Sequence, residues 1–533
     1  MQLVHSKLKL SDKKSLHTVA FILFTLFAIA PVAYTLGTAL FADGSLSDNL
    51  QQLNASTFLL LAKSCVIAFS IALLSTLSGT TLGFLLYKTQ IPFRNFFKIV
   101  LLIPLFISPY ILAVAWKDFF YLFFNNTDFI SSYIGVILVL TSIFTPLSML
   151  IIGSALSNIN ATQEEAGLTI TGLRKVVLKI TLPLIKPALI TSFVLVFIFS
   201  ISEFSVPAFF GVKVFTTEIF TQFSAFYNHS LAILQSALLI LLCILLLLSE
   251  RKYIADAPFL SVGGKGTNSK FYNIENKKWI SLFFLSGWFF VSVILPFIVL
   301  FVQSFQDGTA NFVRAFELLK PTFGNSLGLA FAGALITVLV GFAVAYPDWG
   351  GGDTKSGKSF GSLFLVVFAI PSTIIGISLI KFYNHPILDF IYSSYAIVLI
   401  GYAAKFSFIS AKLIENAIRQ IPTSLDEAAQ IEGITFSVRM RKILIPLIMP
   451  ALFAALIINF IFCLGELGMT IMVYPPGTEI MPIKVFTIMA NAPQSLTSSM
   501  TLIVFSITLL LITGLFFFTR LFLSKERNVG KME

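Results

Sequence analysis

Residues 351–360, GGDTKSGKSF, set Gly352, Gly357, Lys358 and Ser359 in the spacing G-x-x-x-x-G-K-S. The amides of such a turn can cradle phosphate oxygens, the lysine can reach the terminal phosphates, and the serine hydroxyl can hold Mg2+. A second chemical signal is a pair of carboxylates. Glu203, in FSISEFSVPAFFG, follows Pro183 by 20 residues, and Glu466, in FCLGELGMTIMVYPPG, follows Pro446 by the same 20. Both lie in apolar surroundings, where an ionisable side chain is costly and marks a functional candidate. Paired carboxylates suit a hard cation, since oxygen ligands favour such metals and Fe3+ is harder than any divalent ion. Tyr110, Tyr383 and Tyr402 could add phenol oxygens. The competing reading is that each glutamate is protonated, or hydrogen-bonds a neighbouring helix and braces a gate.

The elements that must position these groups are membrane helices. The chain is 57% hydrophobic and 11% charged over 533 residues, whereas soluble domains carry about 25% charge. Apolar runs such as VAFILFTLFAIAPVAYTLGTALF and ILQSALLILLCILLLL recur, and a bilayer-spanning helix needs about 20 such residues. Only helices and closed barrels satisfy their backbone in lipid, and barrel strands would be shorter and alternating. The expected fold is therefore all-α and polytopic. Its twelve spans fall near 18–41, 57–87, 99–116, 131–155, 187–208, 230–249, 279–303, 323–347, 359–381, 393–411, 450–474 and 498–523.

The net charge of +11 follows the topology. With the N-terminus inside, all Lys and Arg except Lys63, Lys117, Lys213, Arg314, Lys320, Lys381, Lys405 and Lys484 fall on cytoplasmic segments or span ends. That bias predicts both termini in the cytoplasm, with the lipid bilayer and no nucleic acid as the partner of the basic residues. The first apolar run is too long for a signal-peptide core, so it is expected to remain as a helix. Cys65, Cys243 and Cys463 lie in apolar spans without metal-ligand spacing and suit buried packing. The phosphate-loop pattern falls in a short turn between spans eight and nine. A nucleotide site would need a strand before it and a soluble helix after it, so a chance match is expected.

The chain divides into 1–250 with six spans, a polar linker at 251–278, and 279–533 with six more. An even number of spans per half gives both halves one orientation, hence a parallel repeat. The loop after span four, EEAGLTITGLRKVVLKITLPLIKPAL, matches the loop after span ten, DEAAQIEGITFSVRMRKILIPLIMPAL. Each has an acidic start, a central glycine, bases, then I-x-[LI]-P with a second proline four residues on. Early acids and later bases suit a short helix's dipole, glycine would end that helix, and proline would help begin the next span.

These loops resemble the EAA loops of permease subunits in bacterial ABC importers fed by a binding protein, and the resemblance covers nearly the whole chain as two fused permease halves. It implies the type I importer permease fold, with each loop forming a coupling helix that docks on a separate ATPase. The first loop would contribute Glu165, Ala166, Gly167, Gly172, Leu182 and Pro183, the second Glu427, Ala428, Ala429, Gly433, Ile445 and Pro446. Glu165 to Pro183 spans 18 residues, against 19 from Glu427 to Pro446. Either one residue is missing near the first glycine, or Glu164 is the true first position and Ile170 fills the glycine slot.

The resemblance further implies a multi-pass protein of the bacterial inner membrane that is itself no enzyme and binds no cofactor. ATP and Mg would sit on a homodimeric ATPase in the cytoplasm. A periplasmic binding protein would contact about 209–229 and 475–497; His229 and His385, also expected in the periplasm, suit plain surface. SEFSVPAFFGVKVFTTEIF and LGELGMTIMVYPPGTEIMPIKVF look like segments of ferric-iron importers. Under that resemblance Glu203 and Glu466 are transient metal ligands, with Tyr110 and Tyr402 along the substrate pathway. Thiamine and 2-aminoethylphosphonate permeases share parts of these segments. A proton-coupled secondary transporter with Glu203 and Glu466 as proton sites is the alternative of another class, and the paired loops argue against it.

Overall fold

A computed structural model describes residues 21–41, 53–249, 271–273, 278–346 and 364–529. The stretch from Gly352 to Ser359 lies outside the described residues, as does most of the linker. Among the described residues the regular structure is helical, apart from one isolated bridge between Thr89 and Tyr272. Nine of these helices are long and apolar enough to cross a membrane, and two sharply bent pairs raise the number to eleven. Of the expected ninth span the structure describes a helix over 364–369 and the shorter apolar helix Ser372–Tyr383, which is not among those nine.

Where spans begin and break follows local chemistry. Asn54 caps Ala55–Lys88, its Oδ1 accepting from the Thr57 amide at 3.1 Å. The third span is not the straight 99–116 helix expected: Arg94–Phe106 and Pro109–Phe124 meet at 94°. Proline disfavours helical geometry in the residue before it, and Ser108 there is extended at ψ 133°. The ninth span breaks at the matching place, before Ser372, where Pro371 has ψ 139°.

Proline also explains a second irregularity. Thr25–Ile29, Val177–Thr181, Phe290–Ile294 and Met440–Leu444 are wide π turns, closed by amides five residues on, such as Leu182 to Val177 and Ile445 to Met440. Each is followed two residues later by a proline: Pro31, Pro183, Pro296 and Pro446. A proline ring clashes with the carbonyl four residues before it, and widening that turn relieves the clash. Pro446 therefore does not start span eleven, which runs unbroken as Phe436–Gly465. In the first half the helix Leu173–Leu184 bends by 63° into Lys186–Ser202, so Pro187 stands at the start of the span.

The described residues form two compact units. In one, Ala55–Lys88 packs on Tyr133–Ser157 so closely that a Cβ on Gly79 would clash with Ser148. Leu82, Leu86, Phe97, Met149 and Leu285 form part of its core. This unit includes Lys278–Phe305 and Val485–Ser506. In the other, a Cβ on Gly341 would lie 2.5 Å from that of Ser410, the matching contact of spans eight and ten. This second unit holds Pro321–Lys484, the chain from Ile507, and the first span, whose Phe24 stacks on Phe364 at 3.8 Å. Each half's first helix thus packs with the other half's later spans.

Candidate functional site

In the loop after span four, Asn160 caps the helix Ala161–Ile170, accepting from the Thr162 amide at 3.1 Å. Glu164, its fourth residue, is fully buried and Glu165 is exposed. The Glu164 carboxylate meets the Lys88 ammonium at 2.6 Å, with neither side chain exposed, and accepts from Thr181 Oγ1 at 3.0 Å. Lys88 closes the second span, so this pair ties the loop to it. Tyr272 of the linker covers the same place. Its amide donates to the Lys88 carbonyl at 2.7 Å, its carbonyl accepts from the Gln90 amide at 3.2 Å, and it is 4% exposed. Burial, then the negative charge of Glu164, raises the Tyr272 phenol above its ordinary pKa.

The loop after span ten repeats the plan with different parts. Thr423–Ile431 is its helix, and the fourth residue, Asp426, is again buried while Glu427 is exposed. Asp426 pairs with the buried Arg439 of the same loop and accepts from Gln430 Nε2 at 2.7 Å. Gly433 takes φ +74°, and the Ile434 amide reaches back to the Ala429 carbonyl at 3.1 Å, a left-handed helix stop. The first loop has no such residue. Its helix ends at Thr171, φ −140°, and Gly172 has an ordinary φ of −72°. With both buried acids at the fourth helical position, the shorter spacing of the first loop falls at this turn.

Ala166 and Ala428 are exposed and Ala429 is buried. A Cβ on Gly167 would touch the Ile180 side chain at 2.5 Å, so the helix lies close on the π turn behind it. Pro183 and Pro446 are exposed beside those turns. Sequence reasoning passed over Ile431 and gave Ile170 only a place in the loop alignment. Ile170 is 83% exposed and Ile431 86% exposed, on helices outside the candidate spans. One bare apolar side chain is ordinary on a surface, but its recurrence as the last residue of both loop helices makes the pair a candidate partner contact. The signal was an isoleucine closing each loop helix, ATQEEAGLTI and TSLDEAAQI.

The paired glutamates do not sit within their spans but at the end of them. Lys186–Ser202 and Ile445–Gly465 each stop at the glutamate, with ψ 130° at Glu203 and 125° at Glu466. A short helix follows each corner, Ser205–Phe210 and Thr470–Val473. Glu203 Oε1 accepts from the Ser205 amide at 2.8 Å and from the Ser205 hydroxyl. Glu466 accepts from the amides of Met469 at 2.8 Å and Thr470 at 2.9 Å. Carboxylates at helix N-termini satisfy open amides and oppose the helix dipole. Tyr110, Tyr383 and Tyr402 are buried, and Tyr402 packs against Gly333. Within either unit, the described residues bring no three His, Cys, Asp or Glu side chains together as a metal site.

Two further charges inside spans escaped the sequence reading. The Lys405 ammonium donates to the carbonyls of Phe368 at 3.0 Å and Ile370 at 2.7 Å, closing the broken ninth span. Asp118, 2% exposed, accepts from Ser498 Oγ at 2.6 Å. The available signals were Lys405 within one apolar run and the adjacent Lys117 and Asp118 within another.

Two matching loop helices, hinged by proline-linked π turns to spans that end at matching carboxylates, define a duplicated transport permease. The inner membrane component family of binding-protein-dependent transport systems matches the chain twice, over 79–255 and 353–528, and the chain belongs to that family. It is thus a multi-pass inner-membrane protein, a transport component that works with a binding protein and an ATPase. The first match omits the first helix of its half and most of Ala55–Lys88, and the second omits Lys278–Phe305 and Ala310–Ala345. Among relatives, the Haemophilus influenzae protein named Fe(3+)-transport system permease protein FbpB 2 is 24% identical over 452 residues, covering 82% of this chain and 84% of the relative. The ferric transport system permease protein FbpB of Actinobacillus pleuropneumoniae is 24% identical over 452 residues, covering 79% and 65%. A Salmonella typhimurium protein named for 2-aminoethylphosphonate transport, the permease PhnV, is 27% identical over 192 residues, covering 36% of this chain and 71% of the relative.

Proposed function

We propose that this chain is the membrane pathway of an ATP-driven importer that takes ferric iron from a periplasmic binding protein and releases it into the cytoplasm by alternating access. The observation that carries the substrate is the breadth of similarity to the ferric permeases, 82% of this chain for the Haemophilus influenzae protein. The 2-aminoethylphosphonate reading draws on a match to 36% of the chain, and uptake competition between the two substrates distinguishes them.

In this reading both termini and both EAA-like loops are cytoplasmic, and each loop docks on one subunit of a homodimeric ATPase that holds ATP and Mg. ATP-driven closure draws the loops together. Each loop helix moves its π turn, the turn moves the fifth or eleventh span, and that span ends at Glu203 or Glu466. Each corner offers the cation a carboxylate in its own unit, with Tyr110 and Tyr402 as further oxygen donors. The chain itself binds no cofactor and hydrolyses nothing.

Two expected results follow from these roles. Ile431→Asp places a charge in the docking surface while leaving the Asp426–Arg439 pair alone. It should reduce copurification of the ATPase about ten-fold or more, as expected where an apolar anchor near an interface centre is lost. Retention of the ATPase at the parent's level removes Ile431 from the interface. Lys358→Ala should leave ATP turnover by the reconstituted complex unchanged, and its loss with assembly intact would assign nucleotide chemistry to this chain.

A further inference from the structure

The two loops hold their buried acids by unequal means. Asp426 finds Arg439 on its own loop, beside a left-handed glycine that stops the helix. Glu164 finds Lys88 at the end of another helix, and its loop lacks the left-handed stop. The attraction within a fully buried Lys–Glu pair offsets its desolvation only if the geometry is held and the remaining hydrogen-bonding capacity is met. Thr181 meets part of that need at 3.0 Å.

The cover comes from the linker. Phe271, Tyr272 and Asn273 are described residues within it, and Phe271 and Tyr272 are held by main-chain and side-chain contacts. Tyr272 hydrogen-bonds on both sides of Thr89, through the Lys88 carbonyl at 2.7 Å and the Gln90 amide at 3.2 Å. Its ring stacks near Phe84 at 6.1 Å, and the Arg94 guanidinium lies 4.3 Å above the Phe271 ring. A polar interdomain linker has no need of a tyrosine buried to 4% exposure.

We infer that Tyr272 is a positioning residue for the first coupling loop: its ring seals the Lys88–Glu164 pair and fixes the Ala161–Ile170 helix in its docking position. The linker would then do more than join two halves. It would supply to the first loop what Arg439 and Gly433 supply to the second. This rests on the proposed docking of the loops on an ATPase.

The test uses the full chain with its ATPase in lipid nanodiscs. Amide hydrogen exchange is read over 161–171 and 423–434, and disulfide cross-linking to the ATPase is read from Ile170→Cys and Ile431→Cys. Tyr272→Ala should speed exchange over 161–171 by about five-fold or more, since sub-global opening sets that rate, and leave 423–434 unchanged. It should lower cross-linking from position 170 and spare position 431. Tyr272→Phe, which keeps the ring, should restore both readouts, including where the alanine variant assembles poorly. Faster exchange without cross-linking from either position, even in the parent, would uphold the seal and refute the docking. Unchanged exchange over 161–171 in Tyr272→Ala, or equal change in both loops, overturns the inference.

Discussion

Asp426→Ala is expected to abolish copurification of the ATPase, and Glu427→Ala to weaken it without unfolding the loop. Asp426 and Arg439 are buried at 0% and 2% side-chain exposure. Removing one partner of a buried ion pair costs about 3–5 kcal/mol. A nine-residue helix, Thr423–Ile431, has little else to hold it. Glu427 points to solvent, so its loss touches only what docks there. The control is the double variant Asp426→Leu with Arg439→Met, because an apolar pair of similar size can replace a buried ion pair at little cost. It should recover copurification. Parent-level copurification by Asp426→Ala would show that the pair does not hold the loop.

Glu203→Gln combined with Glu466→Gln is expected to cut ferric-iron uptake at least ten-fold, a change that needs only about 1.4 kcal/mol at the barrier. Glutamine keeps the size of the side chain and an oxygen to cap the short helices at Ser205 and Thr470. In the proposed reading it removes the charges that would offset transfer of a cation into a low-dielectric path. Each single variant should keep partial activity, and basal ATPase activity should survive because the loops are untouched. Parent-like iron uptake by the double variant would leave the glutamates as helix caps alone.

The helical class, the repeat and the two loops were legible in the sequence because each rests on local pattern: apolar length, charge placement and recurring proline and glycine. The residues that hold the loops were less legible. The sequence pointed to Glu165 and Glu427, while the buried acids are their neighbours Glu164 and Asp426, since the face a short helix buries depends on what packs behind it. Lys88 and Tyr272 lie 76 and 108 residues from Glu164, and no local period links them to it. The proline signature was visible, yet its effect was not: Pro446 widens a turn within a continuous helix instead of starting one. The carboxylate pair was found by its spacing from Pro183 and Pro446. Its place at a helix corner depended on Glu203 and Glu466 turning to extended geometry, which the surrounding apolar run gave no sign of.

The most direct measurement is uptake of labelled ferric iron into proteoliposomes holding this chain and its ATPase, with iron-loaded binding protein outside and ATP within. The account predicts uptake that requires all three proteins and ATP, that is not driven by a proton gradient, and that excess 2-aminoethylphosphonate leaves unaffected. Uptake driven by a proton gradient without the ATPase, or transport of 2-aminoethylphosphonate with none of iron, would contradict it.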